Sequence, residues 1–205
     1  MHDLPTINRE TIERLGREAR EARAQGRKIC CNTSVSAFVR NREGRYLVIR
    51  RTHKPLGYAG VAGHALDEHD DWLESMKAEL LDEVGITVER DGDLRPLKRL
   101  QGVYTHKCGR PGCRFHACKV YELEVDGTPG HLTGDSGVKA VEWITVDRLR
   151  DLCEKTRNWY ARGCPEGEDD HMEPIAVIYL AKAGVVDMDT SFIDDIGELP
   201  CEDDF

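Results

Sequence analysis

No apolar run in this 205-residue chain approaches the roughly 20 residues that a membrane span needs, and its N-terminus lacks the apolar segment of a secretory signal. Asp3, Glu10, Glu13, Glu18 and Glu21 stand among the early arginines, whereas transit peptides are poor in acids. A soluble cytoplasmic protein with no membrane partner is therefore expected. The chain also lacks a basic stripe, the electrostatic footprint of duplex binding, so duplex nucleic acid is not an expected partner. Neither a Walker loop nor a GxGxxG fingerprint is present, which withholds support from the commonest phosphate-binding folds. No internal repeat is visible.

What is present points to one core with appended segments. The formal net charge is -9, yet eight of the 38 acids fall in residues 187–205, which hold no Lys or Arg; the remaining 30 acids nearly balance 29 bases. The expected organisation is an N-terminal helix within 1–28, a domain over 29–186, and an acidic tail over 187–205 without regular structure. That tail is expected to be dispensable for folding, with Phe192, Ile193, Ile196 and Leu199 docking weakly at most. Eight cysteines without a secretory signal are expected to remain thiols or to bind metal.

Residues 8–25 have helical composition, with Ile12, Leu15, Ala19 and Ala22 as a thin apolar stripe. Two strand-like runs, 33–40 and 45–52, flank "NREG", which has the Asn and Gly of a turn. After a glycine-rich loop, 71–84 read as a helix capped by Asp71, with Glu74 three residues on and Gly85 at the left-handed end. Further strands are expected near 98–106, 114–125 and 138–146, and short helices near 147–154 and 174–183. Hairpins with inserted helices indicate an α/β sandwich with a mixed β-sheet instead of a doubly wound parallel fold.

The helix at 71–84 carries the most informative feature. Leu73, Met76, Leu80 and Val84 fall within about 80° of one another and form a buried stripe. Glu79 and Glu83 flank it, and Asp82 lies further round. Like charges at these spacings repel, and a divalent cation held by hard oxygens would relieve the repulsion. The stretch "ELLDEVGI", preceded by "VAGH" and a short acidic loop, resembles the signature of the Nudix hydrolase family: Gly, five residues, Glu, seven residues, then Arg-Glu-aliphatic-x-Glu-Glu-x-Gly-aliphatic. The match is imperfect. Asp82 stands for a Glu, Ala78 replaces the Arg, Asp70 takes the place of the first Glu, and Gly63 sits one residue early. Lys77 points elsewhere on the helix and does not substitute for the Arg.

The resemblance implies a Nudix-type α/β/α sandwich and hydrolysis of a nucleoside diphosphate linked to another moiety, with Mg2+ or Mn2+ as cofactor and a small phosphorylated molecule as substrate. By motif position Glu79, Asp82 and Glu83 are the metal ligands, with Glu79 and Glu83 catalytic and Asp70 supporting the helix start or a water. The identity of the base stays open among Glu79, Glu83, Asp126 and Asp135. Arg50, Arg51, His53 and Lys54 follow the second strand, where cations meet a phosphate or base; His64 is read equally well as structural.

"HKCGRPGC" reads as a hairpin tip. With Gly109–Gly112 as the loop, Cys108 and Cys113 lie opposite each other and alternation puts His106 on their face, giving three ligands for a structural zinc; Cys30, Cys31 or a water would be the fourth. The same parity excludes His116 and Cys118 unless a bulge intervenes. Two other readings compete with hydrolysis: a Nudix-like sensor domain that has lost turnover, favoured by Ala78 and the shifted glycine, and a prenyl-diphosphate isomerase, for which the expected cysteine context is missing. Neither substrate nor oligomeric state is encoded legibly.

Overall fold

Asn41 and Gly44 turn the first hairpin as their chemistry requires. The Asn41 side-chain oxygen accepts from the amides of Glu43 and Arg45 at 3.1 and 2.9 Å, and Gly44 adopts a φ of 75°. The computed structural model describes residues 7–126, 137–202 and 205. In chain order the elements are α1 (Arg9–Ala24), β1 (Thr33–Arg40), β2 (Tyr46–Arg51), β3 (Tyr58–Ala59), β4 (Val61–His64), α2 (Trp72–Val84), β5 (Arg95–Pro96), β6 (Gly102–Tyr104), β7 (His116–Glu124), β8 (Val138–Ile144), α3 (Val146–Ala161), α4 (Pro174–Lys182) and β9 (Glu198–Leu199). None of the described helices is long and apolar enough to cross a membrane.

Strand β1 is the centre of the sheet. It runs parallel to β7 over eight residue pairs, from Thr33–Ala117 to Arg40–Glu124. Its other edge is divided: Ser34–Ala37 pair with β4, whereas Arg40 pairs with Tyr46 of β2. All other described strand pairs are antiparallel, so the sheet is mixed. Val35, Ala37 and Val39 face one core, shared with Ile12 and Leu15 of α1 and with Met76, Leu80 and Val84 of α2. Phe38 faces the other, shared with Leu149 and Leu152 of α3 and Val177 and Ile178 of α4. Helices on both faces of a mixed sheet are the α/β/α sandwich expected from the sequence.

Helix α1 is capped by Asn8, which accepts from the Thr11 amide at 2.9 Å. It packs so closely on the loop before α2 that a Cβ on Gly16 would meet the Leu66 Cβ at 2.8 Å. Arg20 of α1 donates to the carbonyls of Leu66 and His69 and braces the same loop.

Three expectations need correction. The strand expected over 98–106 is shortened to β6 because Lys98–Leu100 form a tight turn that buries Leu100. The helix expected over 147–154 continues to Ala161 as α3. The acidic tail does not lose regular structure: β9 pairs with β6, Ile193 and Leu199 are buried, and Cys201 pairs in parallel with Ile7. Its described acids are exposed, and two of them find partners on the domain, Glu198 with Lys182 at 2.6 Å and Asp195 with the Tyr160 hydroxyl at 2.6 Å. Charge on one face of the segment concealed the apolar residues on the other.

Candidate active site

Helix α2 begins where Asp71 accepts from the amides of Leu73 and Glu74, and ends at Gly85, whose φ of 68° suits a residue without a Cβ. Between those caps Met76, Leu80 and Val84 are buried, while Leu73 is half-buried. That rotation turns Glu79 and Glu83, one helical turn apart, toward β4. The Glu83 Oε2 accepts from the Ala62 amide at 3.2 Å. The Glu79 carboxylate lies over Gly63, where a Cβ would overlap its Oε1. Gly63, one position early for the family signature, is thus the residue that the Glu79 carboxylate crosses. Asp82 is exposed on the outer side of the helix.

Both turned-in carboxyls hold their protons more tightly than usual. Burial pushes Glu79 up to about 7, with Asp67, Asp82 and Glu68 adding repulsion and Arg110 opposing it. Burial pushes Glu83 up to about 8, with Glu79 as the next contributor, while the Ala62 amide and Arg51 oppose the rise. Each of these cations already has a carboxylate: Arg110 is paired with buried Asp67, and Arg51 lies 3.7 Å from Glu173.

Beside β4 is a cleft of about 150 Å3, lined among others by Ser34, Arg51, Lys54, His64, His106 and Glu173. Of the four cations expected to follow the second strand, Arg50 and Arg51 are instead its last residues, and Arg51 and Lys54 line the cleft. Arg50 turns away to Asp169 at 2.6 Å and lies against the Tyr58 ring; the His53 ring lies near Gly137. A second cavity, of about 370 Å3, shares Lys54 and Pro55 with the first and is lined by Lys107, Trp159 and His171. The Trp159 and His171 rings stack at 4.5 Å. Asp126 is drawn to Arg42 at 2.6 Å, and Asp135 lies outside the described residues.

Sequence reasoning missed two carboxylates here. Glu173 is buried at the start of α4, 3.7 Å from Arg51 and 3.9 Å from the His106 Nε2. Its signal was the Glu-Pro step that opens a helix. Asp67 is buried beneath Arg110 and had no local signal, because its partner is 43 residues away.

The cysteine-rich loop also differs from expectation. Cys108 and Cys113 come together with Cys30 and His116, their ligand atoms all within 4.8 Å of one another. His106 is not in that set: its carbonyl accepts from the His116 Nδ1 at 2.8 Å, and its ring turns toward Glu173. The physical reason is that regular pairing of β6 with β7 stops at Tyr104–His116, so residues 105–115 form a loop in which strand alternation, and parity counted from the loop tip, does not apply. None of the eight cysteines is disulfide-bonded.

Among solved structures, a Nudix hydrolase from Nitrosomonas europaea is similar at 16% identity and TM-score 0.47, over 75% of this chain and 88% of that one. The dihydroneopterin triphosphate pyrophosphohydrolase of E. coli aligns at 16% identity and TM-score 0.46, over 57% and 82%. The MutT protein of Methanosarcina mazei Go1 aligns at 17% identity and TM-score 0.44, over 58% and 80%. No curated protein sequence matches. The family model described as NUDIX domain matches residues 32–163, a span that holds β1, β4, α2 and the inward-facing Glu79 and Glu83, and the chain belongs to the Nudix family.

Proposed function

We propose that the protein is a divalent-metal-dependent hydrolase of a nucleoside diphosphate linked to another moiety. The observation that carries this reading is the pair Glu79 and Glu83. Two carboxyls are pressed onto β4 with raised proton affinity, and the nearest cations are already shared with Asp67 and Glu173. This all-oxygen set fits Mg2+ or Mn2+, held by Glu79 and Glu83, with Asp82 reaching only by swinging in from the outer side of the helix. Such an ion, when bound, neutralises diphosphate charge and lowers the pKa of a coordinated water.

The chain's own residues supply the rest. The Ala62 amide holds one oxygen of Glu83, which fixes the carboxylate against β4. Arg51 lines the cleft and has a buried Nε without a protein partner, a donor suited to a phosphoryl oxygen. Lys54 stands where the two cavities meet and would neutralise a second phosphate. The Trp159–His171 stack in the larger cavity suits a planar base or sugar edge. Glu173, facing the same cleft, joins Glu79 and Glu83 as a candidate to take a proton from the attacking water. This reading includes a cytoplasmic location, the compartment in which cysteines persist as thiols or metal ligands.

The test is a phosphate-release screen over nucleoside triphosphates, nucleotide sugars, ADP-ribose, dinucleotides and diphosphoinositols, with Mg2+ and with Mn2+. Turnover of one class that is lost in Glu83→Gln supports the assignment. Saturable binding of a diphosphate without turnover would replace it with the sensor reading that Ala78 suggested.

A further inference from the structure

We propose that Cys30, Cys108, Cys113 and His116 form a closed structural zinc site that clamps the 105–115 loop, and with it Arg110, against the start of β1 and β7. Three separate segments deliver the ligands: the residues leading into β1, the loop, and the first residue of β7. The Cys30 Sγ lies 3.6 Å from the Cys108 Sγ and 3.4 Å from the His116 Nε2. A tetrahedron with Zn–S of about 2.3 Å and Zn–N of about 2.05 Å has S···S edges near 3.8 Å and S···N edges near 3.6 Å. These two separations are within a few tenths of an ångström of those edges and too long for a disulfide, and all four ligand atoms lie within 4.8 Å of one another.

The surroundings are arranged for thiolate and imidazole ligands. His116 donates from Nδ1 to the His106 carbonyl, which leaves Nε2 as the lone-pair nitrogen facing Cys30. Two backbone amides point at sulfur, Asn32 to the Cys30 Sγ at 3.2 Å and Cys108 to the Cys113 Sγ at 3.3 Å, donors that favour the charged form. Asn32 is buried with a φ of 56°, a conformation that side chains other than glycine seldom adopt. Its side chain donates to the carbonyls of Cys30 and Gly112 and accepts from the amides of Arg114 and Phe115, so one residue ties both halves of the site together. Four protein ligands, two of them buried, leave no open position, which makes the site structural and not catalytic.

The clamp has a consequence for the carboxylate group on α2. Arg110 belongs to the clamped loop, is paired with buried Asp67, and acts electrostatically on Glu79. Holding the loop therefore holds the cation that serves this acidic cluster.

The experiment uses the untagged full chain, purified without an affinity metal, with elemental analysis and cobalt exchange. About one zinc per chain, and on exchange with Co2+ the intense visible bands of a tetrahedral site together with thiolate-to-cobalt charge transfer, are expected. Cys113→Ser should lower the zinc content while Glu83→Gln retains it, which separates this site from the α2 carboxylates even if no hydrolysis is ever found. Iron in place of zinc would overturn the proposal, as would a disulfide detected by mass. So would less than about 0.2 metal per chain with all thiols reacting at once under native conditions and no cobalt band. The cobalt measurement on the parent chain decides the matter should Cys113→Ser fail to fold.

Discussion

Replacing Glu83 by Gln should make the metal-free protein more stable while removing its activity. Gln keeps the shape and can still accept from the Ala62 amide, so the change isolates charge. Glu83 is raised from 4.5 to about 8, and its folded form therefore holds a proton that the unfolded chain releases. Stability of the parent must fall as pH rises from about 5 to about 8, because the folded state binds more protons across that window. At about 1.4 kcal/mol per unit the full shift corresponds to about 5 kcal/mol, and the side chain's partial exposure argues for about half of that. For a chain of this size, about 2 kcal/mol is about 4–8 °C in Tm. The assay is thermal unfolding by circular dichroism at pH 5 to 9, without added divalent cation and with Mg2+. The variant should match the parent near pH 5, exceed it by several degrees above pH 8, and lose most of that advantage in Mg2+, which stabilises the parent alone. Turnover should fall by about 100-fold or more, the several kcal/mol that a metal contributes at a phosphoryl transition state. A stability difference independent of pH, or turnover within a few-fold of the parent, would refute the reasoning.

Removing the Arg110 charge with Arg110→Met should raise the acid limb of the pH dependence of kcat/KM, since that charge opposes protonation of Glu79; adding Asp67→Asn should return the limb toward the parent because Asp67 acts in the opposite sense. The single variant should also unfold more readily, by about 3 kcal/mol, because Asp67 is left buried and unpaired, and chemical denaturation measures this. Gly63→Ala drives a methyl into the Glu79 carboxylate and should abolish Mg2+-dependent turnover at a stability cost of about 1–3 kcal/mol; activity near the parent's would show that Glu79 is not needed where it lies. Truncation after Val186 removes β9 and the buried Ile193 and Leu199, each worth about 1.5–3 kcal/mol of burial, and should lower Tm by at least about 5 °C, whereas an unchanged Tm would restore the view of a dispensable tail.

Features that depend on neighbours in the chain were legible. The spacing of Met76, Leu80 and Val84, the Asp71 cap and Gly85 define α2, and with it the direction in which Glu79 and Glu83 point. Features made by strand pairing were not. Gly63 looked misplaced against the family signature until β4 lay beside α2, and Arg110, Glu173 and Cys30 reach their partners only across the sheet. The exchange of His106 for His116 followed from the end of regular pairing at Tyr104–His116, beyond which the loop and not strand alternation aims the side chains. The tail was misjudged because eight acids outweighed a few aliphatic residues that alternate with them.

The parallel ladder between β1 and β7 joins residues 84 positions apart, and it sets a kinetic demand on the chain. Closing a loop of that length costs about 4 kcal/mol of entropy before any contact within the ladder repays it. Topologies of this kind fold slowly and expose strand edges while they wait. Cys30 stands three residues before β1 and His116 is the first residue of β7, so the four thiol and imidazole ligands sit where the ladder begins. A cation captured there early would join the two strand starts and turn this long-range pairing into a local one, leaving all eight pairs to zip from a fixed end.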